Sequence, residues 1–310
     1  MRRRISAVTL ALVVAAALFA ACGGDSEDGA ATDTPSESTK LNVIATTVQI
    51  AALTKEVAAD KIALTGLVPA GADPHAFEPK PSDLVAIEEA QLILRHGIGL
   101  DEWLDDTLEA GNNATIVTVT DGVSLAQGEE DGEVVDDPHV WHDPDNDKTM
   151  VDDIADALEV ADPENASTYE ANASAYKTTL DETKAEVQSI IDEIPAADRK
   201  MVTDHDAFGY FAGAFGLEIV GAIFPVLSTE GEPSAQETAA LLETIEREGV
   251  KAIFAEESAN PRLATTLAQD AGVTIVDDLY GDSLGEAGSG AETVDGMLLA
   301  NARKIADALK

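Results

Sequence analysis

The chain is poor in the residues that most often carry chemistry. Its 310 residues include a single cysteine, Cys22. That excludes an intramolecular disulfide and any multi-thiolate metal site. Tryptophan occurs twice and histidine five times, so every histidine is informative. Cations are scarce as well: 19 Lys and Arg face 59 Asp and Glu, for a formal net charge of −40. A chain so short of basic residues cannot neutralise phosphates, which excludes nucleic acid as a partner. After the first two dozen residues no apolar run approaches the roughly 20 residues that a membrane-spanning helix needs.

What is present begins with the amino terminus. Arg2, Arg3 and Arg4 precede an apolar stretch at 5–17 that is short for a permanent span. It runs into Leu18-Phe19-Ala20-Ala21-Cys22, small residues before a cysteine, which resembles a bacterial lipobox. The reading is a lipoprotein signal peptide at 1–22 with lipidation at Cys22; the alternative is an ordinary secretory signal that happens to contain a cysteine. Two or more acyl chains make such an anchor stable, where one alone is marginal. Residues 23–40 lack aromatics and are rich in Gly, Ser, Thr, Asp and Glu. They read as a disordered tether reaching about 20–25 Å. The expectation is an extracytoplasmic protein, lipid-anchored to the cell membrane and working close to it as a monomer.

From residue 41 onward, short apolar runs alternate with amphipathic segments, the pattern of parallel sheets wrapped by helices. Strands are expected at 41–46, 61–68, 91–95 and 115–119, with helices at 48–58, 81–89 and 100–109. A second set has strands at 200–204, 217–222, 251–255 and 274–276, with helices at 207–215, 235–248, 261–271 and 293–309. Between the sets, 163–193 has no Gly or Pro after its first residue, and apolar residues recur from Tyr169 to Ile191 at helical spacing. The fold class is α/β, with two Rossmann-like lobes, each a parallel sheet flanked by helices, joined by one long rigid interlobe helix. The lobes are 41–160 and 196–310 and the linking helix 161–195; two shorter helices with a bend are the alternative for the linker. Residues 128–137, mostly Glu, Asp and Gly, read as an exposed acidic loop.

Three of the five histidines share a setting. His75 follows Asp73-Pro74, His139 follows Asp137-Pro138, and His205 sits in Asp204-His205-Asp206. Each lies in a loop beyond the carboxyl end of an expected strand, where α/β folds build their crevices. Proline before a histidine fixes the local backbone. A neutral imidazole suits zinc and donates its second N–H to a carboxylate, a role open to Asp73, Asp137, Asp204 or Asp206. His142 and His96 lack this context and read as bystanders. Trp141, Phe77 and Phe208 read as packing around the site, and Glu256 and Glu232 as acceptors behind it.

Four segments carry a resemblance to a known family. Pro69-Ala70-Gly71-Ala72-Asp73-Pro74-His75-Ala76-Phe77-Glu78-Pro79, Asp137-Pro138-His139-Val140-Trp141, Val202-Thr203-Asp204-His205-Asp206-Ala207-Phe208 and Tyr280-Gly281-Asp282-Ser283-Leu284 are similar to the metal-binding segments of the cluster A-I solute-binding proteins. These are the ZnuA/TroA/PsaA-like components of zinc and manganese ABC importers. The resemblance covers nearly all of the mature chain. It implies four metal ligands, His75, His139, His205 and Asp282, two from each lobe. It also implies a cognate ABC permease and its ATPase as partners, and a divalent cation as cargo.

Three imidazoles and a carboxylate favour Zn2+. Manganese-specific members of the resembling family often have a carboxylate where His205 stands. The alternatives are a manganese or iron binder with an adhesin or metallochaperone role, or a zinc hydrolase. The chain has no His-Glu-x-x-His segment and nominates no general base, so no enzymatic activity is expected. Release is expected through the loop that holds Asp282, since Gly281, Gly285, Gly288 and Gly290 permit motion.

Overall fold

The computed structural model describes residues 40–109, 113–130, 132–229, 233–256 and 262–310. The signal segment, Cys22, nearly all of the tether and Glu232 lie outside these residues.

The first lobe opens with strand β1 (Leu41–Ala45), helix α1 (Val48–Ala58) and strand β2 (Ile62–Gly66). Thr47 caps α1 by accepting from the Ile50 N–H. Helix α2 (Pro81–Glu89) starts on a proline and is followed by β3 (Leu92–Arg95), α3 (Trp103–Glu109) and β4 (Thr115–Thr118). The four strands form a parallel sheet in the order β2-β1-β3-β4. Val43, Ile44 and Ala45 on β1 and Leu92, Ile93 and Leu94 on β3 are buried. Their continuous apolar run is what a central parallel strand covered on both faces requires.

Helix α3 begins later than the apolar pattern suggested, because 97–101 is a tight turn. Gly97, Ile98 and Gly99 all have positive φ. The Asp101 carboxylate accepts from the N–H groups of His96 and Gly97.

Two departures from the sequence reading follow β4. Residues 128–137 are largely exposed, as expected, but are not a loop: β5 (Gln127–Glu130) and β6 (Glu133–Asp136) form an antiparallel hairpin. Its Glu130 carboxylate accepts from the N–H groups of Leu227 and Ser228 and from the Ser228 hydroxyl. That partner segment belongs to the second lobe, so the hairpin's order comes from a contact some hundred residues away.

The second departure is helix α4 (Pro144–Ala161), which no expectation above includes. Its signals were present in the sequence. Asp143 caps it by accepting from Asp145 N–H, Pro144 opens it, and Met150, Ile154 and Leu158 form a buried i, i+4 stripe.

A 3-10 turn at Pro163–Asn165 precedes helix α5 (Ala166–Asp192), one unbroken element of 27 residues, about 40 Å long. The bent alternative is therefore not adopted. The second lobe then repeats the first. Strand β7 (Lys200–Thr203), α6 (Gly209–Phe215), β8 (Glu218–Ala222), α7 (Ala235–Glu248), β9 (Ala252–Glu256), α8 (Arg262–Ala271), β10 (Thr274–Leu279) and α9 (Val294–Leu309) follow in turn. The sheet runs β10-β9-β7-β8, all parallel, the same second-first-third-fourth order as in the first lobe.

Helix α5 ties the lobes together. One continuous apolar cluster joins Tyr169, Ala173, Leu180 and Val187 of α5 to α1 and α4 of the first lobe and to α6 and α9 of the second. Burial of that area on both sides makes wide hinge opening costly.

Within this packing Asp147 of α4 is wholly buried, and neither carboxylate oxygen has a hydrogen-bond partner among the described residues. Burial, reinforced by Asp143 and Asp295, holds its carboxyl well above the usual range. An acid whose pKa is raised by folding destabilises the fold as pH climbs above its unfolded value of about 4. Asp147→Asn is expected to melt at a higher temperature than the parent at pH 8, with the gain shrinking toward pH 4. Melting curves across that range check it, and a pH-independent difference would refute it.

Candidate metal centre

Every nominated side chain projects from the carboxyl end of a strand. His75 lies in the loop after β2, His139 after the hairpin that follows β4, His205 two residues beyond β7, and Asp282 three beyond β10. The topology therefore delivers two donors from each sheet to one interlobe crevice.

The recurring Asp before His has a local physical purpose. The Asp73 carboxylate accepts from the backbone N–H of His75, two residues on, and Asp137 does the same for His139, both at 2.9 Å. Asp204 accepts from the N–H of His205 at 2.9 Å. The first two are Asx turns, and all three contacts hold the backbone that presents the ring.

The four side chains converge. His75 Nε2 lies 3.3 Å from His139 Nε2 and 3.4 Å from Asp282 Oδ2. His139 Nε2 is 3.2 Å from Asp282 Oδ1, and His205 Nε2 is 3.3 Å from Asp282 Oδ2. One donor atom from each of the four residues falls within 4.8 Å of all the others. A tetrahedral ion with arms of about 2.0–2.1 Å separates its donors by about 3.3–3.4 Å, so the observed spacing matches that of such an ion. His139, His205 and Asp282 are buried, while the His75 side chain is 9% exposed and borders a cleft of about 700 Å³. Trp103, Glu130, Asp136, Leu227 and Ser228 are among the residues that line that cleft.

Carboxylates lie behind two of the rings. His139 Nδ1 is 2.7 Å from Asp137, and His205 Nδ1 is 3.1 Å from Glu256 and 3.4 Å from Asp204. Asp137 accepts the His139 Nδ1–H, which leaves Nε2 to face the crevice, while the His205 Nδ1 has carboxylates nearby but no hydrogen bond among the described residues. Of the partners expected from sequence, Asp137 acts in this way, and Asp204 and Glu256 stand near the His205 ring. Asp73 instead receives the Thr229 hydroxyl with its second oxygen, and Asp206 is not among the ring partners in the structure.

The charges are strongly coupled. Burial pulls His139 down, but Asp137 and Asp282 outweigh it and push the ring up to about 9. Burial likewise opposes the His205 cation, yet Asp282 and Glu256 raise it well above the ordinary imidazole value. Asp282 is held well below the carboxylate range despite its burial, because His205, His139 and His75 surround it. Glu256 is pushed up by burial and by the neighbouring Asp282.

His142 and His96 are not brought into the donor cluster. The His142 ring stacks on Phe208 at 4.9 Å, and burial holds it down at about 3, so it is a neutral packing group. His96, expected to be a bystander, is fully buried and supports the site. Its Nε2–H donates to the Pro138 carbonyl at 2.8 Å, fixing the loop that carries His139. No sequence context distinguished it. Trp141 and Phe208 pack as expected, and Phe77 stacks against Trp103 at 5.0 Å.

The glycines near Asp282 do not all confer mobility. A Cβ on residue 281 would fall 2.0 Å from the Glu256 carboxylate, and one on residue 285 would fall 2.3 Å from the Ser289 hydroxyl. These two glycines permit close packing, and only Gly288 and Gly290 adopt positive φ. The expectation of a loosely held Asp282 loop is corrected accordingly.

Two parallel-sheet lobes spanned by one helix, with convergent donors in the crevice between them, define the cleft-binding class of solute receptor. The chain belongs to the family described as zinc-uptake complex component A, periplasmic, which matches residues 43–308. The manganese-binding lipoprotein MntA of Halalkalibacterium halodurans is 31% identical over 94% of both chains. The manganese ABC transporter substrate-binding lipoprotein PsaA of Streptococcus pneumoniae is 32% identical over 97% of both. Among solved structures, the periplasmic zinc-binding protein TroA of Treponema pallidum superposes with a TM-score of 0.81 at 30% identity, covering 87% of this chain and 99% of that one. A manganese-bound periplasmic metal-binding protein (S38A mutant) from Candidatus Liberibacter asiaticus gives 0.79 at 27% identity, covering 87% of this chain and all of the other.

Proposed function

We propose that the protein is the extracytoplasmic substrate-binding component of an ABC importer. It takes a divalent transition metal between its lobes on His75, His139, His205 and Asp282 and delivers it to a permease. The observation that carries this reading is the convergence of three Nε2 atoms and one carboxylate at 3.2–3.4 Å. The relatives named above as lipoproteins support a lipid anchor at Cys22 that keeps the protein at the membrane. No helix among the described residues is long and apolar enough to cross a membrane.

Two metals compete for the assignment. Three neutral imidazoles with one carboxylate suit zinc, and affinity for such donors rises from manganese toward zinc. The relatives named for manganese, and the manganese-bound neighbour, favour the other ion. Both oxygens of Asp282 face ring nitrogens, so a bidentate carboxylate gives the oxygen-preferring ion a fifth donor. Our reading is that zinc is preferred. Competition dialysis at equal free concentrations is expected to load zinc, and His205→Glu is expected to narrow the gap because an oxygen donor replaces an imidazole. Manganese occupancy at or above zinc in the parent chain would assign the site to manganese.

His75 is the natural point of ligand exchange. It is the one donor with measurable exposure, and Nδ1 contacts to carboxylates are found on the other two rings. Hand-over to the permease therefore begins from the cleft beside His75.

A further inference from the structure

Asp282 leaves a strand of the second lobe, yet the first lobe does most of the work of holding its loop. Four hydrogen bonds tie residues 281–283 to other elements among the described residues, and three of them come from across the crevice. Trp141 Nε1 donates to the Gly281 carbonyl at 2.9 Å, Gln49 Nε2 donates to the Asp282 carbonyl at 2.9 Å, and the Gly71 N–H donates to Ser283 Oγ at 2.6 Å. The fourth comes from within the lobe, where the Asp282 N–H donates to Glu256 Oε2 at 2.8 Å. The peptide of the carboxylate donor is thus clamped at its carbonyl by one lobe and at its N–H by the other.

Gln49 is the distinctive member of this set. It is the second residue of α1 and 1% exposed, with a core otherwise of Ile50, Leu53 and Val57 on its own helix. Its amide orientation is fixed because the Asp282 carbonyl only accepts. Its Oε1 is buried with no partner among the described residues. A buried amide that satisfies only one of its ends costs stability relative to an apolar side chain of similar size. The satisfied end donates to the peptide of Asp282. Trp141 and Gly71 differ in that each also packs or turns for local reasons.

We propose that Gln49 is a positioning residue for the metal centre. By fixing the Asp282 peptide from the opposite lobe, it keeps the carboxylate in register with His75 and His139 and makes a complete donor set conditional on contact between the lobes. The proposal rests on the metal-binding reading above. A purely structural glutamine would move fold stability and metal retention together. A positioning glutamine separates them: its removal deletes one buried unpaired acceptor, Oε1, and frees another, the Asp282 carbonyl, so the metal-free fold changes little while the metal is held less firmly.

The test uses the full chain and its Gln49→Leu and Gln49→Met variants, the second being unbranched and better able to fill the space if leucine packs poorly. Each is loaded with Zn2+ and mixed with excess chelator, and each is separately titrated with Co2+ to read the ligand-field spectrum. The expected result is Zn2+ release about three- to tenfold faster than in the parent, the worth of one hydrogen bond appearing in the off-rate. The Co2+ spectrum shifts, and the melting temperature of the metal-free protein changes little. Variants that release Zn2+ at the parent rate with an unchanged Co2+ spectrum overturn the role of Gln49 alone. A parent chain that takes up neither Zn2+ nor Co2+ overturns the metal-binding reading itself.

Discussion

Replacing His139 by alanine is expected to abolish tight metal binding while leaving the fold in place. His139 is the most enclosed donor: its ring is wholly buried, Asp137 holds its Nδ1 at 2.7 Å, and its Nε2 faces both His75 and Asp282. Groups that merely orient a ligand are worth 10–100-fold in metal affinity, so loss of the ligand itself is expected to cost more than about 100-fold. The fold survives because most of the apolar clusters that cover the sheets and run along α5 do not include His139. Isothermal titration of metal-stripped parent should show one tight site per chain, and the variant only weak binding. The metal-free variant should still melt cooperatively. Undiminished affinity in a folded His139→Ala would show that the metal sits elsewhere.

The second large effect is on pH. In the metal-free protein His139 is pushed up to about 9, with Asp137 and Asp282 overcoming the penalty of burial, and His205 is raised in the same direction. At neutral pH these rings therefore hold protons that an incoming cation must expel. Two displaced protons reduce apparent affinity by about 100-fold for each pH unit of acidification, one factor of ten per proton. The decline is expected to begin near pH 8–9, well above the roughly 6.5 of an unperturbed imidazole, at which sequence alone would place it.

Stability of the metal-free fold should run the opposite way. A raised histidine contributes stability that is complete below its unfolded value of about 6.5 and is lost as pH climbs through its folded value. For His139 that window runs from about 6.5 to about 9. The depressed Asp282 contributes stability above the ordinary aspartate value, and this is lost as pH falls toward its lowered value. Between about pH 7 and 9 the metal-free melting temperature is thus expected to fall while the zinc-loaded one rises, since zinc stabilises only through the folded state. Zinc dissociation constants between pH 5 and 9 at fixed ionic strength, with parallel melting curves, provide the check. A flat affinity profile across that range would remove all three imidazoles as principal ligands together.

Much of this architecture was legible in the chain. The apolar runs around Val43, Leu92, Val202 and Phe254 are long and unbroken enough to mark buried parallel strands, and the stretch from Pro163 to Glu193 contains no residue that stops a helix. Helix α4 was also legible and was passed over. It has a capping Asp143, Pro144 at its first position and a Met150-Ile154-Leu158 stripe, but its many acidic residues masked the period. The hairpin at 127–136 was not legible, since its sequence is that of a solvated loop. Glu130 finds its partners at Leu227 and Ser228, a pairing no local pattern announces.

By itself the sequence nominated the proposed donors and where each one stands in the chain. Asp-Pro-His and Asp-His-Asp are local devices, in which a carboxylate one or two residues away sets the backbone that presents the ring, and short-range chemistry of that kind can be read in one dimension. Only the tertiary structure decided how the donors are held. His96 beneath the His139 loop, Glu256 spanning His205 and Asp282, and Gln49 reaching Asp282 from the other lobe join residues 26 to 233 positions apart. Such contacts depend on how two sheets meet across a crevice. That meeting is set by the summed burial along α5 and its neighbours, and no single segment records it.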